Sequence, residues 1–357
     1  MLYLVLLIAM GFYTMTFSSH INSAPIGLQE LVFEDSARIF NEQKRIIEVA
    51  LWYPTQQKTS PEKIEFGIWK IKDATRNASF EPTTQLPLII FSHGYSGNQW
   101  VNTWFAEHLA EQGYMVAIVR HYGNSYRNMI PEICARPWNR AQDLSFILDQ
   151  LLQHPQFKNH IDTDRIGAAG FSQGGVACMW LAGIKAHLTP ENFRQQITIV
   201  NHPECKQLHF KDIPSERLDT VLDNFTQQDF EQANRSYYDN RFKAVFVIAP
   251  GIDEENIMFT PHGLSQSKTP VHITVGEADE GTLDQSIFFA QHIPCTINII
   301  PGYVTHMTLL NEGTQEGKLK KPTYTTDHPS VDRKQVHTSV TKQALEFFNH
   351  HLIKNPN

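Results

Sequence analysis

One stretch constrains this chain more than any other: Asp162-Thr163-Asp164-Arg165-Ile166-Gly167-Ala168-Ala169-Gly170-Phe171-Ser172-Gln173-Gly174-Gly175. Ile166 to Ala169 reads as a short buried strand that runs through Gly-x-Ser-x-Gly into an apolar helix, Val176 to Gly183. A strand that becomes a helix within so few residues leaves the central serine in a strained conformation with its hydroxyl exposed. Gly170 and Gly174 flank that turn because the two backbones approach where side chains would collide. Ser172 is therefore the candidate nucleophile.

The rest of the chain is consistent with a large folded domain. At 357 residues it can bury a sizeable core, and 41 % apolar with 19 % charged residues argues against disorder. A net charge of −7, with no Lys/Arg cluster, argues against nucleic acid as a partner. The 17 histidines are scattered mostly singly, without His-x3-His, Cys-x2-Cys or His-Glu-x-x-His spacing, so neither metal nor cofactor is expected. Cys134, Cys178, Cys205 and Cys295 are too few and too spread for a disulfide scaffold. Cys178 reads as a small core residue; Cys134–Cys205 and Cys205–Cys295 remain the pairings to consider after export.

Leu2 to Phe17 is a nearly unbroken apolar run, followed by small polar residues up to Ala24. It is shorter than the roughly 20 residues of a spanning helix, so residues 1–24 read as a signal peptide, although no Lys or Arg precedes Arg38. The expected location is periplasmic or secreted; the alternative is an uncleaved segment that keeps the protein on a membrane, with peripheral contact there. Residues 25–357 then form one domain. Its strands are expected at Ile46–Pro54, from Leu86 to the His93-Gly94-Tyr95-Ser96-Gly97 turn, Tyr114–Arg120, Ile166–Ala169, Phe242–Ala249, Val271–Val275 and Thr296–Ile300. Helices fit Trp100–Gln112, Arg140–His154 and Val336–Ile353. Gln56 to Pro82 reads as an irregular excursion, and Ile184 to Asn240 as a cap-like helical insertion over the site. Alternating strands and helices describe a mostly parallel, doubly wound α/β sheet with flanking helices.

A serine hydroxyl needs a base, and the base needs a carboxylate that fixes its tautomer. Asp279 lies in the loop after Val271–Val275, and His306 in the loop after Thr296–Ile300. Both loops leave the carboxyl ends of parallel strands, where such sheets build their sites, and the order serine, acid, histidine is that of α/β-hydrolases. Glu277, Glu280 and Asp253 are rivals for the acid; His328 and His337 read better as surface histidines. The oxyanion donors should be the backbone N–H of Gln173 and, in the turn after the early strand, of Tyr95. His121 could line the pocket without a catalytic role, and Trp100, Trp104, Phe259 and Met307 are candidates for an acyl pocket or for the core.

From about Arg45 onward the chain resembles α/β-hydrolases of the platelet-activating-factor acetylhydrolase type and the bacterial proteins described as predicted dienelactone hydrolases. The residues that carry the resemblance are Trp52-Tyr53-Pro54, Phe91-Ser92-His93-Gly94, Arg136-Pro137 leading to Asp143, and Asp164-Arg165-Ile166-Gly167. It continues in Arg241 to Val245, Ala249-Pro250-Gly251, Gly276-Glu277-Ala278-Asp279, His306, and Asp332-Arg333 with His337. The resemblance implies an α/β-hydrolase fold with Ser172, Asp279 and His306 as the triad. Phe171 departs from the group, which mostly has His there, and true dienelactone hydrolases use a cysteine nucleophile.

The expectation is thus a serine esterase acting through an acyl-enzyme on a small-molecule or lipid ester, with oligomeric state open. Short-chain or oxidised phospholipid is the substrate the resemblance implies. General carboxylesterase or polyester hydrolysis, and a non-catalytic binding role on the same scaffold, are the alternatives.

Overall fold

The computed structural model describes residues 25–57, 64–80, 84–193, 220–221, 223–252 and 258–352. Among these residues nine strands form one sheet: β1 (Ile26–Phe40), β2 (Gln43–Pro54), β3 (Thr75–Arg76), β4 (Leu86–Ser92), β5 (Met115–Arg120), β6 (Ile161–Phe171), β7 (Ala244–Ile248), β8 (Val271–Gly276) and β9 (Cys295–Ile300). Their order across the sheet is β9-β8-β7-β6-β4-β5-β2-β1-β3. From β5 to β9 every neighbouring pair is parallel, whereas β2 runs antiparallel to both β1 and β5.

Burial on both sides explains why β4 and β5 are almost entirely apolar. Alternate residues point to opposite faces, so Leu88, Ile90, Met115 and Ala117 enter one core while Ile89, Phe91, Val116 and Ile118 enter the other. The first core is closed by α2 (Asn139–Gln153) and α3 (Gln173–Leu181), with Leu144, Leu148, Val176 and Trp180 buried in it. Phe289 of α5 (Leu283–His292) joins them. The second is closed by α1 (Thr103–Glu111) and α6 (Arg333–Leu352) through Phe105, Leu109, Val340, Ala344 and Phe348.

Several elements differ from the sequence expectations. β1 is not expected from the sequence: its apolar residues are interleaved with charged ones, and six of its fifteen residues are exposed. The elbow strand starts at Ile161 rather than Ile166. The 56–82 excursion contains β3 and a small hairpin, Glu65–Phe66 with Trp69–Lys70. Of the 184–240 insertion, residues 194–219 and 222 lie outside the described residues, so whether it covers the site lies outside them too. Its described end includes α4 (Gln227–Asn234), where Phe230 packs with Phe193 and Phe225 in the core closed by α2. Residues 1–24, with the expected signal, also lie outside the described residues. Among the described residues no helix is long and apolar enough to cross a membrane. Cys134, Cys178 and Cys295 are free thiols; both bridges considered need Cys205, which is outside the described residues.

Candidate active site

The turn between β6 and α3 holds Ser172 at φ 56° and ψ −126°, a conformation that L residues rarely adopt. Its amide donates to Ile248 O at 2.9 Å, which ties the turn to the end of β7. The glycines are there for space. A Cβ on Gly170 would stand 2.3 Å from Gly174 O, and one on Gly174 only 2.0 Å from Ser92 O. Backbone occupies those positions, so no rotamer change could relieve the clash. Gly94, in the turn after β4, packs against the elbow less tightly: a Cβ there would lie 3.3 Å from the Ser172 Cβ.

Asp279 and His306 come from the loops after β8 and β9 and meet. His306 Nδ1 lies 2.7 Å from Asp279 Oδ2. The carboxylate is buried, and it also accepts from the Thr282 amide at 3.1 Å and the Thr282 hydroxyl at 2.8 Å. Three donors on one carboxylate fix its orientation, and with it the imidazole tautomer that leaves Nε2 as the acceptor. The His306 ring then rests on Phe171, the neighbour of Ser172, with centroids 4.5 Å apart. Phe171, where the resembling group mostly has His, therefore forms the platform under the base.

His306 opens a 3-10 turn, His306–Leu309, that is held from behind. Asn102 and Trp104 of the α1 start donate to Leu309 O at 3.0 and 3.1 Å. His337 of α6 lies 3.0 Å from Thr308 O, and since a carbonyl only accepts, its Nε2 carries the proton. The His337 ring stacks on Trp104 at 4.1 Å. Burial lowers its pKa to about 4, so it is neutral. The expectation of a surface histidine is thus corrected: α6 turns His337 inward because Trp104 offers it an aromatic face and Thr308 an acceptor.

The other expectations sort as follows. Tyr95 follows Gly94 in the turn after β4, and Gln173 is the first residue of α3, where a helix has unpaired donors. Glu277 and Glu280 are exposed, Glu277 accepting from the Gly302 amide, and Asp253 lies outside the described residues. His328 is exposed and stacks on Tyr303. Phe259 sits in the core between Trp180 and Phe289, Trp100 stacks on Phe66, and Trp104 braces the histidine turn. Met307 is half-buried beside His306. His121 does not line a pocket. It is fully buried, with Nδ1 2.8 Å from Asp143 and Nε2 2.8 Å from the Ser92 hydroxyl.

Sequence reasoning missed the charged cluster around Asp143. Arg45 donates to both carboxylate oxygens at 2.8 and 3.0 Å, and Arg38 approaches at 2.9 Å. These cations hold the Asp143 carboxyl ionised despite complete burial. A signal existed: Arg140 and Asp143 share the inward stripe of α2 with Leu144, Ile147 and Leu151, where charge is otherwise excluded. A cavity of about 670 Å³ near Arg38, Asp149, Arg235 and Arg241 contains none of the triad residues. Arg38 and Arg241 are paired with carboxylates there, and Arg235 donates to Gln142 and lies over the Tyr237 ring.

The strand order, the elbow and the acid–histidine pair define an α/β-hydrolase fold. The comparisons agree. The family model for platelet-activating factor acetylhydrolase, isoform II, matches residues 62–130, which hold β4, the Tyr95 turn and β5. A putative esterase, YitV, of Bacillus subtilis is 27 % identical over 164 residues, 40 % of this chain and 60 % of that protein. Dipeptidyl-peptidase 5 of Porphyromonas gingivalis is 29 % identical over 118 residues, 29 % of this chain and 16 % of its own length. The chain thus spans less than two thirds of either relative. The fold is that of a ferulic acid esterase from Streptomyces cinnamoneus, at TM-score 0.61 and 18 % identity, covering 95 % of this chain and 94 % of the other. The chain thus has the α/β-hydrolase fold, and residues 62–130 are similar to the platelet-activating factor acetylhydrolase, isoform II, family.

Proposed function

We propose that this protein is a serine hydrolase that cleaves carboxylic esters through an acyl-enzyme. The observation that carries the reading is the buried Asp279 carboxylate 2.7 Å from His306 Nδ1, with the His306 ring against the elbow that strains Ser172. His306 Nε2 takes the Ser172 proton as Oγ attacks the ester carbonyl, and the N–H groups of Tyr95 and Gln173 receive the oxyanion. His306 then returns the proton to the leaving alkoxide, and a water repeats the sequence to free the acid. The match to a putative esterase over 164 residues supports an ester as substrate.

Within that class we propose short-chain or oxidised phospholipid acyl esters, on the strength of the 62–130 match and of the sequence resemblance. A general carboxylesterase would share every step. The test is a panel of p-nitrophenyl esters from acetate to palmitate beside platelet-activating factor, with Ser172→Ala as control. Release of acetate from platelet-activating factor at a kcat/KM at least equal to that of the best aryl ester supports the phospholipid reading. Activity on aryl esters alone overturns it and leaves the esterase. We further propose an exported protein, from the apolar run before residue 24; N-terminal sequencing of the mature chain tests this.

A further inference from the structure

Arg140 is one of the largest fully buried side chains among the described residues, 1 % exposed, and no carboxylate there pairs with it. All its acceptors are neutral. Nη1 donates to His93 O; Nη2 donates to Gly94 O at 3.1 Å, to Asn124 O at 3.2 Å and to Asn124 Oδ1 at 3.0 Å. Nearby Asp143 is occupied by Arg45, Arg38 and His121, so the surplus positive charge of the cluster rests on Arg140. A buried guanidinium without a counter-ion is costly, and a fold that keeps one asks for a reason at the site above it.

The acceptors supply the reason. Gly94 O and the Tyr95 N–H belong to one planar trans peptide, so whatever holds the oxygen aims the N–H the opposite way. That oxygen receives three donors: Arg140 Nη2, His93 Nδ1 at 2.6 Å and the Gly97 amide at 3.1 Å. A cation on the carbonyl end also polarises the amide and strengthens the N–H as a donor. The same guanidinium reaches the second donor's residue, because Asn124, whose Oδ1 it holds, gives its Nδ2 to Gln173 Oε1 at 3.1 Å.

We propose that Arg140 is a positioning residue for the oxyanion hole, acting through the Gly94–Tyr95 peptide on one donor and through Asn124 on the other. The proposal rests on reading Ser172 as an esterase nucleophile. It goes further in assigning a role to a residue 32 positions away in sequence that touches no substrate.

The test compares wild type, Arg140→Lys, Arg140→Met and Asn124→Ala in ester hydrolysis, together with inhibition by an alkyl trifluoromethyl ketone and its methyl ketone analogue. The trifluoromethyl ketone adds to the serine and places an oxyanion in the hole; the methyl ketone reports binding without that charge. Arg140→Met should lose about 100-fold in kcat with KM nearly unchanged, as when one oxyanion donor is removed. Its trifluoromethyl ketone Ki should rise in parallel while the methyl ketone Ki stays. Arg140→Lys should fall between the two, and Asn124→Ala should lose about 10-fold. If Arg140→Met does not fold, the lysine and Asn124 variants decide alone. Wild-type kcat/KM and Ki per folded molecule in those variants overturn the proposal while leaving the esterase intact. A wild type that neither hydrolyses esters nor binds the trifluoromethyl ketone more tightly than the methyl ketone overturns both.

Discussion

Asp279 Oδ2 and His306 Nδ1 lie 2.7 Å apart although 27 residues separate them, and the carboxylate is buried while part of the imidazole remains exposed. That asymmetry suits an acid that orients and a base that meets substrate. The loops after β8 and β9 deliver the pair because adjacent parallel strands end on the same edge.

Asp279→Asn should therefore leave the fold in place but cost about four orders of magnitude in kcat, since an amide can donate to Nδ1 and favours the wrong tautomer. Single-turnover acylation alongside near-ultraviolet circular dichroism checks both halves of this expectation.

Gly174→Ala tests the close packing of the elbow. Its Cβ would meet the backbone oxygen of Ser92 at 2.0 Å, so the turn must open. The expected cost is about 3 kcal/mol or more of stability, with loss of acylation, read by urea unfolding. Gly302→Ala is the contrast: nothing lies near its Cβ, and only its φ of 86° resists substitution, so a loss of about 1 kcal/mol is expected.

Asp143→Asn would leave the buried Arg45 facing a neutral side chain and take from Arg38 one of its two carboxylates. Breaking a buried charged cluster from one side costs about 3–5 kcal/mol, and thermal unfolding should show it. An unchanged Tm would mean that Asp143 is not the anchor of this region.

Acid should destabilise the protein through its buried neutral histidines. Burial lowers both His121 and His337 to about 4 from 6.5, so the unfolded chain binds more protons between those values. Their contribution is complete above pH 6.5 and is lost as pH falls toward 4. Tm should drop over that window, and His337→Gln, which can still donate to Thr308 O, should flatten the drop without abolishing it, because His121 remains.

Much of this site can be read from sequence because α/β sheets place chemistry in loops after strands, and each such loop here follows an apolar run. Val271–Val275 announces Asp279 and Thr296–Ile300 announces His306 by position alone. Two things stay hidden for physical reasons. β1 alternates imperfectly, since an exposed outer strand is under little pressure to be apolar. The support beneath the site is made of pairs such as Arg45 with Asp143, 98 residues apart, that only the folded sheet brings together. The burial of His337 is hidden on the same ground: its partner Trp104 lies on another helix.

The most direct measurement is labelling with a fluorophosphonate followed by peptide mapping. One adduct per chain, located on Ser172 and abolished in Ser172→Ala, is the predicted result, and the buried Ser92 should stay unmodified. Absence of labelling in the folded wild type, or equal labelling of Ser172→Ala, would contradict the assignment of Ser172 as the nucleophile.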